Sequence, residues 1–357
     1  MSVSPEIFRK ILIDWYLENK RDLPWRTSTK PYSVWLSEII LQQTRVDQGL
    51  PFYLKFVKEF PTVHELADAS EIEVLKLWQG LGYYTRARNL HATAQYISKE
   101  LQGVFPSNYN SLIKLKGVGD YTASAIASIC YNEPTAVVDG NVYRVLGRLL
   151  GVELSIDELA GKKYFKSAAQ KLIDPEDPGT FNQALMEFGS RFCIPRSPDC
   201  TSCIFKDECV AFQLNKVSEF PKRSKKTQIK KIFYNYFVPL SEDQKTLLVK
   251  RISNGFWHQL YEFPLIETDG EVGLSFWENN VQYKVLSSQI GIKSIQPLQT
   301  KSVVHKLSHR HIYAKFWMAE LSKELQNGIP INDLEQYPVP RLIDKMIPSL
   351  FCSEHRM

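Results

Sequence analysis

Two carboxylates and four thiols carry most of the chemistry this sequence can perform. Glu38 lies in WLSEIILQQTRV (35–46), a stretch that is apolar nearly all round, and it shares a helical stripe with Val34, Leu41 and Gln42. An acid on an apolar face is costly unless it is paired or protonated. A glutamate at a helix edge is ordinarily exposed, but this helix offers little polar face, so burial is expected. A desolvated carboxyl keeps its proton to higher pH, which suits a general acid near neutrality. The second carboxylate, Asp139, follows the apolar Ala136-Val137-Val138 and precedes Gly140-Asn141 where a helix begins. Such an aspartate is often only a helix cap; here Gly140 beside it leaves room for a ligand.

The four thiols are Cys193, Cys200, Cys203 and Cys209, spaced C-x6-C-x2-C-x5-C. That crowding in a chain with no secretory signal points to a metal site rather than to disulfides. Zinc patterns usually show two C-x2-4-C pairs, and this run has one with wider flanks. Cys130 and Cys352 stand apart as ordinary buried or terminal thiols. Upstream of Asp139, LKGVGDYTA (115–123) sets Gly117 and Gly119 before an Ala-rich helix. A Gly-x-Gly turn is usually only a turn. Opening a helix, it also leaves backbone N–H groups pointing outward, which suits a phosphate oxygen.

The elements that must hold these groups are mostly helices. The periodicity predicts a first helix containing Ile7, Phe8, Ile11, Leu12 and Trp15, then helices over Tyr32–Arg45, Val46–Glu59, Ile72–Trp78 and Tyr84–Leu101. Two more fall between Asp157 and Phe192, separated by Asp174-Pro175-Glu176-Asp177-Pro178-Gly179. Between helices, GLGYY (80–84) sets an apolar residue and two tyrosines among glycines, either a packed turn or a wedge for a base stack. Arg144 and Arg148, one turn apart, read as phosphate contacts or as a solvated face. KRSKKTQIKK (222–231) holds six basic residues and no acid and reads as an exposed linker. Beyond it, Ile232–Val238, Thr246–Arg251 and Ser302–Leu321 are strand-like, with Ile312, Ala314, Phe316 and Met318 alternating toward a core.

The 357 residues allow two or three domains, and a net charge of +5 favours an anionic partner only mildly. No run reaches the apolar length of a membrane span. The acidic, amphipathic N-terminus is no signal peptide, so a cytoplasmic protein is expected.

With LPWR (23–26), WLSEIILQQTRV, GLGYYTRARNL (80–90), LKGVGDYTA, VDGNVYRVLGR (138–148) and the four-cysteine loop in this order, the chain resembles the adenine DNA glycosylases of the MutY type over nearly its whole length. The resemblance implies a mostly α N-terminal catalytic part, residues 1–215. It would be a helix–hairpin–helix glycosylase fold, with a six-helix barrel (about 26–133) plus an iron–sulfur subdomain (1–25 and 134–215). A basic linker (216–230) and an α+β Nudix-like C-terminal domain (231–357) follow. The cofactor it implies is a [4Fe–4S] cluster on the four cysteines, a structural loop setting Arg191, Arg196 and Lys206 against DNA. The partner it implies is double-stranded DNA with adenine opposite 8-oxoguanine or guanine, bound by a monomer.

Carried over, Glu38 protonates the flipped adenine at N7, Asp139 faces the sugar, and Asn141 and Tyr121 support them. Gln43 and Tyr83 match wedging residues, Thr44 and Leu81 contacts around 8-oxoguanine, and Arg26, Gly117 and Gly119 further DNA contacts. Bifunctional relatives of the endonuclease III type carry a Schiff-base lysine where this chain has Tyr121, and Lys116 is not in that position. Base release with little strand cleavage is therefore expected. A Nudix pyrophosphatase needs clustered acids; Gly273–Gly291 offers only Glu278. The family's Phe-Ser-His loop is Leu307-Ser308-His309 here, with Ser308 and His309 as recognition residues. His305, His309 and His311 read as recognition or solvent-facing side chains rather than as a metal site. Two other readings stand beside this one: a bifunctional pyrimidine-lesion glycosylase with lyase activity, and a non-catalytic, cluster-bearing DNA-binding or redox-sensing protein.

Overall fold

A computed structural model describes residues 4–224, 229–253, 255–307 and 309–351. The helices run α1 (Pro5–Asn19), α2 (Pro31–Leu41), α3 (Val46–Glu59), α4 (Val63–Asp68), α5 (Glu71–Leu77), α6 (Thr85–Glu100), α7 (Tyr109–Leu112), α8 (Asp120–Tyr131), α9 (Gly140–Leu150), α10 (Leu159–Leu172), α11 (Pro178–Arg191) and α12 (Val210–Gln213). The chain forms two compact units. One comprises Met1–Asp68 and Asn89–Lys225, the other Ala69–Arg88 and Lys226–Met357.

In the first unit, α2 is deeply buried. Pro31 supplies the fixed φ of a first turn, and Trp35, Leu36 and Ile40 have no exposed surface. Each such side chain contributes about 1.5–3 kcal/mol of burial. The helix ends four residues earlier than its sequence suggests, because Gln43 takes φ 56° and turns the chain into α3. Against it packs α8, whose small residues Ala123, Ser124, Ala125 and Ala127 are fully buried and permit close approach. A second core joins Phe8, Leu12 and Tyr16 of α1 to Leu146, Phe165, Phe181 and Phe188 of α9, α10 and α11.

The hairpin between α7 and α8 turns on Gly117, at φ 78°; a Cβ there would meet the Asn89 side chain at 2.7 Å. Gly119 is the residue before α8, and no side chain caps that helix. Short α4 was not legible in the sequence.

The second unit carries strands β1 (Lys230–Leu240), β2 (Lys245–Thr246), β3 (Val249–Lys250), β4 (Tyr261–Glu262), β5 (Leu265–Thr268), β6 (Ile292–Pro297), β7 (Val303–Lys306), β8 (Arg310–Leu321) and β9 (Ile329–Pro330). The main sheet has order β5-β1-β8-β6, with β7 also on β8. Helices α13 (Phe276–Asn279), α14 (Val281–Ile290) and α15 (Arg341–Phe351) belong to this unit, as does α5.

Two strand expectations need correction. Thr246–Arg251 is not continuous but contributes to two separate short pairs, β2 with β9 and β3 with β4. Ser302–Leu321 is the antiparallel pair β7 and β8, not one strand. The inward alternation at Ile312, Ala314 and Phe316 stops before Met318, and the buried residues become Trp317 and Ala319. The cause is that Trp317 packs with Phe237, Ile266 and Trp277, so this end of the sheet is covered on both faces. Much of the basic segment, residues 225–228, lies outside the described residues. Among the described residues no helix is long and apolar enough to cross a membrane.

Candidate active site

Glu38, Tyr121, Asp139 and Asn141 line one pocket of the first unit, together with Arg26 and Thr44. Four elements converge there: α2 brings Glu38, α8 brings Tyr121, the segment before α9 brings Asp139, and α11 supplies the far wall.

Glu38 is buried, with 7% of its surface exposed. Burial is the largest influence on its carboxyl and lifts it to about 7; the Tyr121 hydroxyl bonds it and pulls the other way, while Asp139 adds to the rise and Arg26 opposes it. Tyr121 is held well above the usual tyrosine range by burial and by these two acids, so its hydroxyl stays protonated and available as a donor. That hydroxyl also lies 3.5 Å from the Met186 sulfur.

Asp139 does the job of a helix cap and keeps one face in the pocket. Its Oδ1 accepts from the backbone N–H groups of Asn141 (2.9 Å) and Val142 (2.8 Å), and its Oδ2 from Asn141 Nδ2 (2.7 Å). Burial, the largest influence, raises its carboxyl, against these bonds and the charge of Arg144. Asn141 passes the connection on, because its Oδ1 accepts from Arg144 at 2.8 Å. Arg144 in turn donates to the Cys193 carbonyl at 2.7 Å and the Gly189 carbonyl at 2.6 Å. Gly189 permits this approach; a Cβ there would meet Asn141 Cβ at 2.7 Å.

The solvated-face reading fails for Arg148, and Arg144 is part-buried with its guanidinium bonded to protein carbonyls. Arg148 is buried and donates to the carbonyls of Ile194, Pro195 and Val217, and from Nη1 to the Cys193 sulfur at 3.4 Å. Both arginines satisfy the irregular backbone around the cysteines, which has no secondary structure to do so. Cys193, Cys200, Cys203 and Cys209 line one small cavity with Arg148. Among the described residues no three His, Cys, Asp or Glu converge as a single-ion site.

Glu187 escaped the sequence reading. It is 1% exposed and receives a two-pronged bond from Arg21 (2.7 and 2.6 Å) and another from Arg26 (2.8 Å). Burial alone would raise its carboxyl, but these hydrogen bonds outweigh it and bring it to about 2. Arg26 is thus committed to the pocket wall. The lone sequence signal was an acid inside the otherwise apolar Ala184–Phe188 run; its partners lie too far away in the chain to be seen. Glu187→Gln is expected to cost about 2–3 kcal/mol at pH 7, because two part-buried guanidinium groups lose their counter-charge. A lowered carboxylate contributes stability above its unfolded range and loses it as pH falls toward 2. Urea melts should therefore separate variant from wild type at pH 7 and converge near pH 2.

The remaining residues fall elsewhere. Gly117 and Gly119 sit in the hairpin before α8. Gln43 stands at the end of α2. In the second unit Tyr83 is half exposed at φ 48°, Leu81 is buried, His309 is exposed, and His305 packs on Trp257 at 5.6 Å. Ser308 lies outside the described residues.

Two families match along the chain. Residues 36–198 match the HhH-GPD superfamily of base excision DNA repair proteins, and residues 235–349 match the NUDIX domain. The adenine DNA glycosylase of Buchnera aphidicola subsp. Acyrthosiphon pisum is 34% identical over 85% of this chain and 83% of its own. That of Arabidopsis thaliana is 36% identical over 89% and 57%, and that of Homo sapiens 43% over 58% and 39%. Among solved structures, a thermostable thymine-DNA glycosylase aligns with a TM-score of 0.54 at 26% identity, covering 59% of this chain and 97% of its own. A non-covalent endonuclease III–DNA complex aligns at 0.51 and 20% identity, over 60% and 98%, a likeness of fold.

Proposed function

This chain belongs to the adenine DNA glycosylases, and from that premise we propose that it removes adenine opposite 8-oxoguanine, or opposite guanine, by hydrolysis and leaves an abasic site. Removal of adenine is the family's activity. The mispair and the hydrolytic outcome are the finer reading. The observation that carries acid-assisted base release is a buried carboxyl pushed up to about 7 in the same pocket as a second, hydrogen-bonded carboxylate.

Adenine must leave the stack for this chemistry, at an unstacking cost of a few kcal/mol that is lowest at a mispair. Glu38 in its acid form gives its proton to adenine N7, and the base departs with the C1′–N9 electron pair. Asp139 faces the sugar and stabilises the positive charge that develops on it, the two-carboxylate logic of glycoside cleavage. Water adds at C1′ and releases a proton. Tyr121 orients the Glu38 carboxyl, and Asn141 fixes that of Asp139. No lysine is among the pocket-lining residues described, which supports hydrolysis over a Schiff-base route.

Cys193, Cys200, Cys203 and Cys209 would hold a [4Fe–4S] cluster. Four thiols around a cavity, rather than converging on one point, fit a polynuclear group better than a single zinc ion. When bound, the group supplies iron–thiolate bonds that cross-link the loop. Cys203→Ser is expected to lose the broad visible absorption of an iron–sulfur protein; an unchanged spectrum would remove the assignment. Recognition of 8-oxoguanine by Ser308 and His309, and duplex contacts from Gln43, Thr44, Leu81, Tyr83, Gly117 and Gly119, belong to the same proposal, as do a monomeric and cytoplasmic state.

The deciding experiment is single-turnover excision on a duplex carrying adenine opposite 8-oxoguanine, read with and without alkali. Breaks only after alkali are expected. Breaks without alkali would favour lyase chemistry, and tight binding with no breaks a non-catalytic protein.

A further inference from the structure

Asp139 is delivered to the pocket by an irregular segment, Glu133 to Val138, that follows the left-handed Asn132 at the end of α8 and belongs to no helix or sheet. Ala136 and Val137 have no exposed surface. A buried chain must still satisfy its peptide groups, and a strand would do so through its neighbour. Here side chains of α10 and α11 take the neighbour's place. Gln170 donates from Nε2 to the Pro134 carbonyl at 2.6 Å and accepts from the Ala136 N–H at 3.0 Å. Asn182 donates from Nδ2 to the Thr135 carbonyl at 2.9 Å and accepts from the Val137 N–H at 3.0 Å. Lys166 takes the Ala136 carbonyl at 2.8 Å.

Each amide side chain thus bridges the carbonyl of one residue and the N–H two residues on, the pair of bonds that one residue of a parallel neighbour makes. Asn182 is fully used. Only 1% of it is exposed, and its Nδ2 also donates to Ser128 Oγ at 2.9 Å. The two amides hold three consecutive peptide groups and share the middle one, where Asn182 takes the Thr135 carbonyl and Gln170 the Ala136 N–H, and they come from different helices.

We propose that Gln170 and Asn182 are positioning residues for the reaction: they act as a side-chain substitute for a neighbouring strand and set where the Asp139 carboxylate stands in the pocket. This rests on the role assigned to Asp139 above. The carboxylate lies two residues past the last clamped peptide, and its own bonds reach only forward, to Asn141 and Val142. Slack in Pro134–Val137 therefore passes to the reacting group, where a displacement of about 1 Å can cost on the order of a hundredfold.

The test compares Gln170→Met and Asn182→Ser with wild type on full-length protein. Three quantities are measured: the single-turnover excision rate, the Kd for the duplex carrying the abasic-site product, and the urea midpoint. Gln170 is at the surface, so its variant opens no core cavity and decides the matter if Asn182→Ser does not fold. The expected result is a rate at least tenfold lower with product-duplex Kd within twofold. Rates within twofold of wild type would overturn the proposal, as would rate and affinity falling in proportion to lost folded protein. Asp139→Asn, run alongside, separates the two claims. If it still excises, the reading of Asp139 fails; if it is inactive while both clamp variants keep their rate, only the clamp fails.

Discussion

Glu38→Gln is expected to abolish excision and at the same time to stabilise the fold above neutral pH. The amide cannot donate a proton to adenine N7, and general-acid catalysis is worth about 10²–10⁴ in rate. The loss should be at least about a hundredfold in single-turnover excision. Stability moves the opposite way. The folded carboxyl titrates at about 7 rather than at its ordinary 4.5, so between these values the folded state binds more proton than the unfolded one. Wild-type stability therefore falls as pH rises through this window, by about 1.4 kcal/mol per unit, or about 3 kcal/mol in all. The uncharged amide of the variant escapes that loss and can still accept from the Tyr121 hydroxyl. Urea melts at pH 5 and pH 8.5 should show the variant gaining on wild type only at the higher pH. The same titration predicts a wild-type excision rate that declines above about pH 7, as the acid form is depleted. An excision rate within tenfold of wild type would end the assignment of Glu38.

Asp139→Asn should be as damaging to the reaction and nearly silent in the fold. Its amide oxygen can still accept from the Asn141 and Val142 N–H groups and cap α9, so the helix start survives. Its NH2, however, would face Asn141 Nδ2, donor against donor, at a cost of about 1 kcal/mol. What disappears is the negative charge beside a sugar that becomes cationic. Charge stabilisation of this kind is often the largest single contribution to an enzyme's rate. A fall of about a thousandfold or more is expected, with affinity for the product duplex retained. If excision persists while binding is unchanged, the sugar-facing role is wrong.

How much of this could be read beforehand follows from where each interaction lies. The burial of Glu38 was legible because its helix has almost no polar face, a local property. Asp139 was legible as a cap for the same reason. The ion-paired Glu187 was not, because Arg21 and Arg26 sit 166 and 161 residues away. Nor was the early end of α2: Gln42, Gln43 and Thr44 carry no stop signal, and the turn is imposed by packing. Arg144 and Arg148 looked like surface cations because their partners are carbonyls of an irregular loop, which leaves no pattern in composition. The strand alternation broke at Trp317 because a second core covers that face, and single-strand periodicity cannot show what lies on the other side.

Gln43 and Tyr83 both occupy left-handed backbone, at φ 56° and φ 48°. For anyone building a mutant library at these positions, geometry screens the candidates before chemistry does. Asparagine and glycine enter that well easily, while valine, isoleucine and threonine are all but barred from it. A library scored on DNA repair alone would record those β-branched failures as lost function. Scored alongside folded yield, the same clones would separate a backbone veto from a missing contact.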